Sequence, residues 1–238
     1  MTQATLARTL RRDAAENREA ILAAAKALLR RDPDASLEAI AQSAGLSRRA
    51  VYGHFANRDE LVSEILTAGA ERITAALVAT AHDDPRIWLA LIAARLWDEV
   101  EDVRVMAQLA VRGPFRDRVG AALAPLRSAL RENVGCGIRE GMLRRDMPAD
   151  TLARLLEDSV ISVLDEATRR ELSSADGHRL VMLAALSTAG LSWRESAVLI
   201  DATPALAHDD AHQHPTHADY QQHPTHGAAH QHPTQAAR

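Results

Sequence analysis

Hydrogen-bond donors crowd one short stretch of this sequence, where Arg48, Arg49, Tyr52, His54 and Arg58 follow one another closely. Adjacent guanidinium groups can reach the acceptor edge of guanine, and phenol, imidazole and a further arginine suit phosphate oxygens. That is nucleic-acid chemistry. A second concentration is histidine, with eight of eleven lying between His208 and His232. There Gln-His-Pro-Thr occurs at 213–216, 222–225 and 231–234, a nine-residue period. Clustered neutral imidazoles bind nickel, copper, zinc or cobalt, and His212, His214, His217, His223 and His226 are the candidate ligands. The repeat defines no four-ligand geometry. It reads as a motif expanded by slippage with adventitious metal affinity, so no resident metal or cofactor is expected. Enzyme chemistry finds no support: P-loop, dinucleotide glycines, nucleophile elbow and His-Glu-x-x-His are all missing. Asp83-Asp84 reads as a helix cap and Asp98-Glu99 as a solvated helix face.

The donors need elements to hold them. Leu37, Ile40 and Ala41 recur at helical spacing, Ser43-Ala-Gly45 breaks the pattern, and Leu46, Val51 and Phe55 form a second apolar set. Gly45 can adopt the left-handed backbone of a sharp inter-helix turn. Ser36 and Ser47 stand where a hydroxyl caps the next helix, and a cap at Ser36 would sit near a DNA phosphate. Two short helices joined by a glycine turn predict a helix-turn-helix whose second helix enters the major groove.

The run GLSRRAVYGHFANRDEL resembles the DNA-binding signature of the TetR/AcrR family of transcriptional regulators. Gly45, Leu46, Ser47, Val51, Tyr52, His54, Phe55 and Leu61 fall on that signature in register. Arg58 stands where the family usually has lysine, and Gly53 where a larger, often basic residue is common. The resemblance implies a dimeric DNA-binding regulator, released from its operator by a small molecule held among its central helices.

Composition fits an all-α protein. Nearly half of the 238 residues are apolar, and no alternation suggests strands. One cysteine, Cys136, excludes an intramolecular disulfide, and no apolar run is long enough to span a bilayer. With no signal-like N-terminus, a cytoplasmic protein without membrane contact is expected. The net charge of −4 divides unevenly: residues 1–60 carry ten Arg/Lys against eight Asp/Glu, and the rest carry the acidic excess. The cations gather at the DNA end.

Along the chain, residues 1–12 read as a solvated terminus or a basic arm with Arg8, Arg11 and Arg12. A first helix is expected from about Ala14 to Arg30, with Ile21, Ala25, Leu28 and Leu29 on one face. Asn57-Arg-Asp-Glu60 predicts a capping box opening a long helix shared by both halves of the protein. Asp84-Pro85 starts the next, apolar almost all round from Ile87 to Trp97. Its one charge, Arg95, either pairs with Asp98 or Glu99 or meets an acidic ligand. Trp88, Ile92, Arg95 and Met106 are the candidate ligand-pocket residues, suited to a hydrophobic effector. Pro125 either kinks a helix or starts a new one. Cys136 is either a redox sensor or a small residue in a helix interface.

Helices at Asp150–Glu171 and Asp176–Ala189 carry apolar stripes wider than one domain needs. The family resemblance implies that they pair across a homodimer, and Leu156, Val160 and Leu183 are the candidate interface residues. Ser192-Trp-Arg-Glu195 is a further capping box. Past Pro204 the prolines and the lack of apolar residues predict a disordered tail. The expected organisation is a DNA-binding domain at 1–60, a helical ligand-binding and dimerisation domain at 61–204, and the tail at 205–238. A protein that binds or senses metal through that tail is the alternative function.

Overall fold

A computed structural model describes residues 3–100, 106–107, 110 and 113–208, with residues 3–11 described by their backbone alone. Residues 3–208 belong to one compact unit, which takes in 205–208, the first residues of the expected tail, because Leu206 is buried in it; the rest of that tail, 209–238, lies outside the described residues. Among the described residues every regular element is helical.

The first helix, α1 (Gln3–Leu29), begins well before the expected Ala14. Residues 3–15 are mostly Ala, Leu, Arg and Gln, which lose little side-chain freedom in a helix, and contain no Gly or Pro to stop it. Ile21, Ala25 and Leu29 form its buried stripe. After a loop through Pro33 come α2 (Leu37–Ser43) and α3 (Arg48–Tyr52), capped by the Ser36 and Ser47 hydroxyls, which accept from Ala39 N and Ala50 N, each at 3.2 Å. The turn between them is closed at Gly45, φ 67°. Gly45 N donates to Gln42 O at 3.1 Å and Leu46 N to Ala41 O at 2.9 Å. This pair of bonds satisfies the last carbonyls of α2 and requires a left-handed residue at the glycine position.

The long α4 (Arg58–Val78) starts at Asn57, whose side chain accepts from Glu60 N at 2.9 Å. Glu60 reaches back one residue further than expected, accepting from Ala56 N at 2.7 Å. Two buried clusters share this helix. Leu61, Val62, Ile65, Leu66 and Ala70 pack with Ile21, Ile40, Val51 and Phe55, and also with Phe115 and Val119 from later in the chain. Leu77 joins the second cluster.

That second cluster is built on α5 (Pro85–Val100), α7 (Ala124–Arg139), α8 (Ala149–Arg170) and α9 (Ser174–Thr188), with α6 (Arg116–Ala122) leaning on α4 and α10 (Trp193–Asp201) closing the unit. Pro125 starts α7 in its first turn rather than kinking a longer helix. Ser192 and Glu195 make both bonds of the expected capping box. The α5–α9 contact is unusually close, because a Cβ on Gly177 would lie 1.9 Å from the Trp97 ring. Only a residue without a side chain lets the Trp97 ring lie so near the α9 backbone. A short 3₁₀ turn, Pro204–Leu206, ends in the buried Leu206.

Candidate nucleic-acid interface and inner cavity

The helix-turn-helix turns Val51 and Phe55 inward and leaves Arg48, Arg49 and Tyr52 on the outer face, Tyr52 half exposed. Ser36 and Ser47 are exposed at the starts of α2 and α3, so each hydroxyl and the free amides of its first turn face the same surroundings. His54 is half-buried just beyond α3. Amino-acid spacing did not reveal one neighbour: Glu38 of α2 lies 4.0 Å from the Arg48 guanidinium and accepts a long 3.5 Å hydrogen bond from the Tyr52 hydroxyl. Between side chains this exposed, such a pair holds a conformation rather than contributing much stability.

Arg58 is placed differently from the other cations. Its Nε donates to Ala35 O at 2.9 Å and its Nη2 to Pro33 O, and the side chain is 28% exposed. The guanidinium therefore ties the α1–α2 loop to the start of α4, with its Nε and Nη2 donors engaged by backbone carbonyls. Arg18 does related work from α1, with its guanidinium 5.1 Å over the Phe55 ring and 2.5 Å from Glu64. The Glu64 hydrogen bond holds the Arg18 pKa above its ordinary value.

Behind this head lies a cavity of about 420 Å³. Ile65, Gly69 and Ile73 of α4, Ile92 and Leu96 of α5, Leu126 and Leu130 of α7, and Leu156 and Val160 of α8 line it, together with Met106. Lys26 of α1 and Arg30, just past its end, stand at its edge, both exposed. Arg127 also lines it, bound to the Glu157 carboxylate through Nε and Nη2, a hydrogen bond that holds the Arg127 pKa above its ordinary value. A space of this size walled by aliphatic side chains suits a mainly apolar small molecule.

Of the pocket residues expected from sequence, Ile92 and Met106 are wall residues and Trp88 and Arg95 are not. Trp88 is buried with its Nε1 donating to Thr80 O at 3.0 Å, and the exposed Arg95 donates to Thr80 Oγ1 at 2.7 Å. Both cap the end of α4 from outside the cavity. Glu99, an expected partner of Arg95, pairs with Arg72 instead. The expected interface residues also separate. Leu156 and Val160 are turned into their own chain, 3% and 9% exposed, and line the cavity, so neither is available to a second subunit. Leu183 is half-buried, and Leu180 beside it is exposed. Cys136 donates to Glu140 at 3.1 Å, and this bond pushes the thiol pKa up, away from the thiolate a redox sensor uses.

Residues 21–65, which span the end of α1, the helix-turn-helix and the start of α4, match the model of bacterial regulatory proteins of the tetR family. The chain belongs to the TetR family. It is a TetR-family transcriptional regulator, and solved structures of such regulators share its fold. SmeT, the repressor of the Stenotrophomonas maltophilia multidrug efflux pump SmeDEF, is 27% identical over 72% of this chain and 87% of its own, with a TM-score of 0.58. FadR of Bacillus subtilis, solved with stearoyl-CoA, is 15% identical over 70% of this chain and 97% of its own, at 0.57. RolR, solved with resorcinol, is 18% identical over 82% and 99%, at 0.59. Comparison with curated proteins by sequence finds no match. Among the described residues of this TetR-family chain, no helix is long and apolar enough to cross a membrane.

Proposed function

We propose that this chain is a dimeric repressor that leaves its operator when a mainly apolar molecule fills the inner cavity. The observation that carries the reading is the path of α4. It is capped at Asn57, directly behind the recognition helix, and passes the cavity wall at Ile65, Gly69 and Ile73. A molecule that pushes these residues moves the element on which α3 is mounted. It shifts the DNA equilibrium only if it binds the DNA-free arrangement more tightly. Stearoyl-CoA and resorcinol in FadR and RolR support a ligand with a substantial apolar surface. Lys26 and Arg30 at the cavity edge favour one with an anionic end.

In the dimer, α8 and α9 of each subunit meet through their outer faces, with Leu180 and Leu183 contributing and Leu156 and Val160 behind them. Each α3 then occupies one of two successive major grooves, ~34–36 Å apart. Arg48 and Arg49 read bases, while the capped starts at Ser36 and Ser47, together with Tyr52 and His54, grip phosphates.

Genomic DNA fragments retained by the purified protein supply the operator, and a gel-shift series on that duplex is the test. Arg49→Ala or Arg48→Ala should lose ~1–3 kcal/mol and relax preference at one base position. Palmitoyl-CoA, as an apolar probe with an anionic end, should weaken the wild-type complex. Unchanged affinity and preference in both arginine variants would sink the docking. Sedimentation of the free protein as a monomer would sink the dimer.

A further inference from the structure

We propose that Asp98, His178 and His208 form a binding site for one divalent transition-metal ion, separate from the cavity and from the repeat histidines His212 to His232. The nearest ligand atoms of the three side chains all lie within 4.8 Å of one another. His178 Nε2 is 4.0 Å from an Asp98 carboxylate oxygen, and the two imidazole rings are 4.8 Å apart, centre to centre. Donors sharing a four-coordinate zinc-like ion sit ~2.0–2.1 Å from it and therefore ~3.4 Å from each other. The observed spacings exceed that geometry by at most about 1.4 Å. Asp98, with its side chain 46% exposed, can close the remaining distance by a change of rotamer.

The site is held from behind. Asp98 follows Trp97, which is fully buried, and His178 follows Gly177, the glycine that admits the Trp97 ring. His208 lies two residues past the buried Leu206. Three separate stretches of chain are thus anchored in one core and bring their ligand-bearing residues to one point. His178 is itself only 4% exposed, so its imidazole has a restricted set of orientations. Two imidazoles and one carboxylate, with a water completing the shell, form a mixed nitrogen–oxygen set that suits zinc, cobalt, nickel or copper rather than calcium or magnesium. A bound ion would join the end of α5, the start of α9 and the chain after the last 3₁₀ turn. It would stabilise the folded unit by mass action, because the unfolded chain does not hold these residues together.

The experiment uses full-length protein in which the histidines from His212 to His232 are replaced by Asn, which silences the tail, after dialysis against chelator. Cobalt(II) is the probe, followed by visible absorption, and zinc(II) is followed by thermal melting. One equivalent of cobalt should bind with the intense bands of a low-coordinate site, and zinc should raise the melting temperature. Asp98→Ala and His208→Ala, both outside the packed core, should each weaken cobalt binding by at least ~10-fold. His178→Gln, judged by circular dichroism for folding, should do the same. A tail-silent protein that binds less than one equivalent of cobalt would overturn the proposal. Affinities in Asp98→Ala and His208→Ala equal to that of the parent would overturn it as well.

Discussion

The three N-terminal helices and the helical body behind them are packed from similar aliphatic residues, but to opposite ends. Around Phe55, the side chains of Ile21, Ile40, Val51 and Leu61 meet with at most 1% exposure, and the polar groups are pushed to the outer face. In the body, α4, α5, α7 and α8 hold their walls apart and leave about 420 Å³ between them. A reading head must present arginines at fixed spacing, so its core gains from being filled. In the proposed function the body must admit a guest, so its core gives up contacts that a filled interior would make. The two regions share α4, which enters the filled core at Leu61 and Val62, borders the cavity along Ile65, Gly69 and Ile73, and is buried again at Leu77. The cations repeat the contrast on a smaller scale: Arg48 and Arg49 point out, whereas Arg58 is consumed by two carbonyls.

The largest effect that would break this comparison is expected at Phe55. Truncating it to Ala in the filled core should cost ~3–5 kcal/mol, read by urea unfolding. A loss under ~1 kcal/mol would mean that the head is as loosely packed as the body.

Next is Arg58→Ala, which leaves the Pro33 and Ala35 carbonyls without their charged donor. We expect ~1.5–3 kcal/mol of lost stability, while the salt dependence of DNA binding stays as in the wild type. A slope lowered by about one with an unchanged melting temperature would instead make Arg58 a phosphate contact.

A matched pair of enlargements sharpens the contrast most directly. Ala25→Leu overpacks the head and should cost ~1–3 kcal/mol. Ala93→Leu, at the cavity wall, should leave stability nearly unchanged and weaken palmitoyl-CoA binding by occupying its space. Equal destabilisation by the two substitutions would show that the body cannot accept added volume.

The sequence by itself determined the features encoded within a few residues of one another. The turn at Gly45 and the caps at Ser36, Ser47, Asn57 and Ser192 each depend on bonds or clashes inside one or two turns of chain, whereas Pro125 suited a kink or a helix start equally until its neighbours were placed. The donor run at Arg48–Tyr52 was legible for the same reason, because a short helix with Val51 buried has only one face left to present. Even the failed boundary of α1 was local: weak N-terminal signals hid a stretch of good helix formers.

Tertiary structure settled whatever depended on the far side of a contact. Arg58 has a long side chain, and only the path of the α1–α2 loop brought the Pro33 and Ala35 carbonyls within its reach. The apolar stripe of α8 was wide enough to face either way, and packing against α7 and α9 turned Leu156 and Val160 inward. Glu38 joined Arg48 and Tyr52 through the crossing of two helices, and Arg95 found Thr80 through the fold of α5 back along α4. The cavity belongs to no residue in particular. It is the volume that side chains from several helices fail to fill, and no spacing along one helix records it.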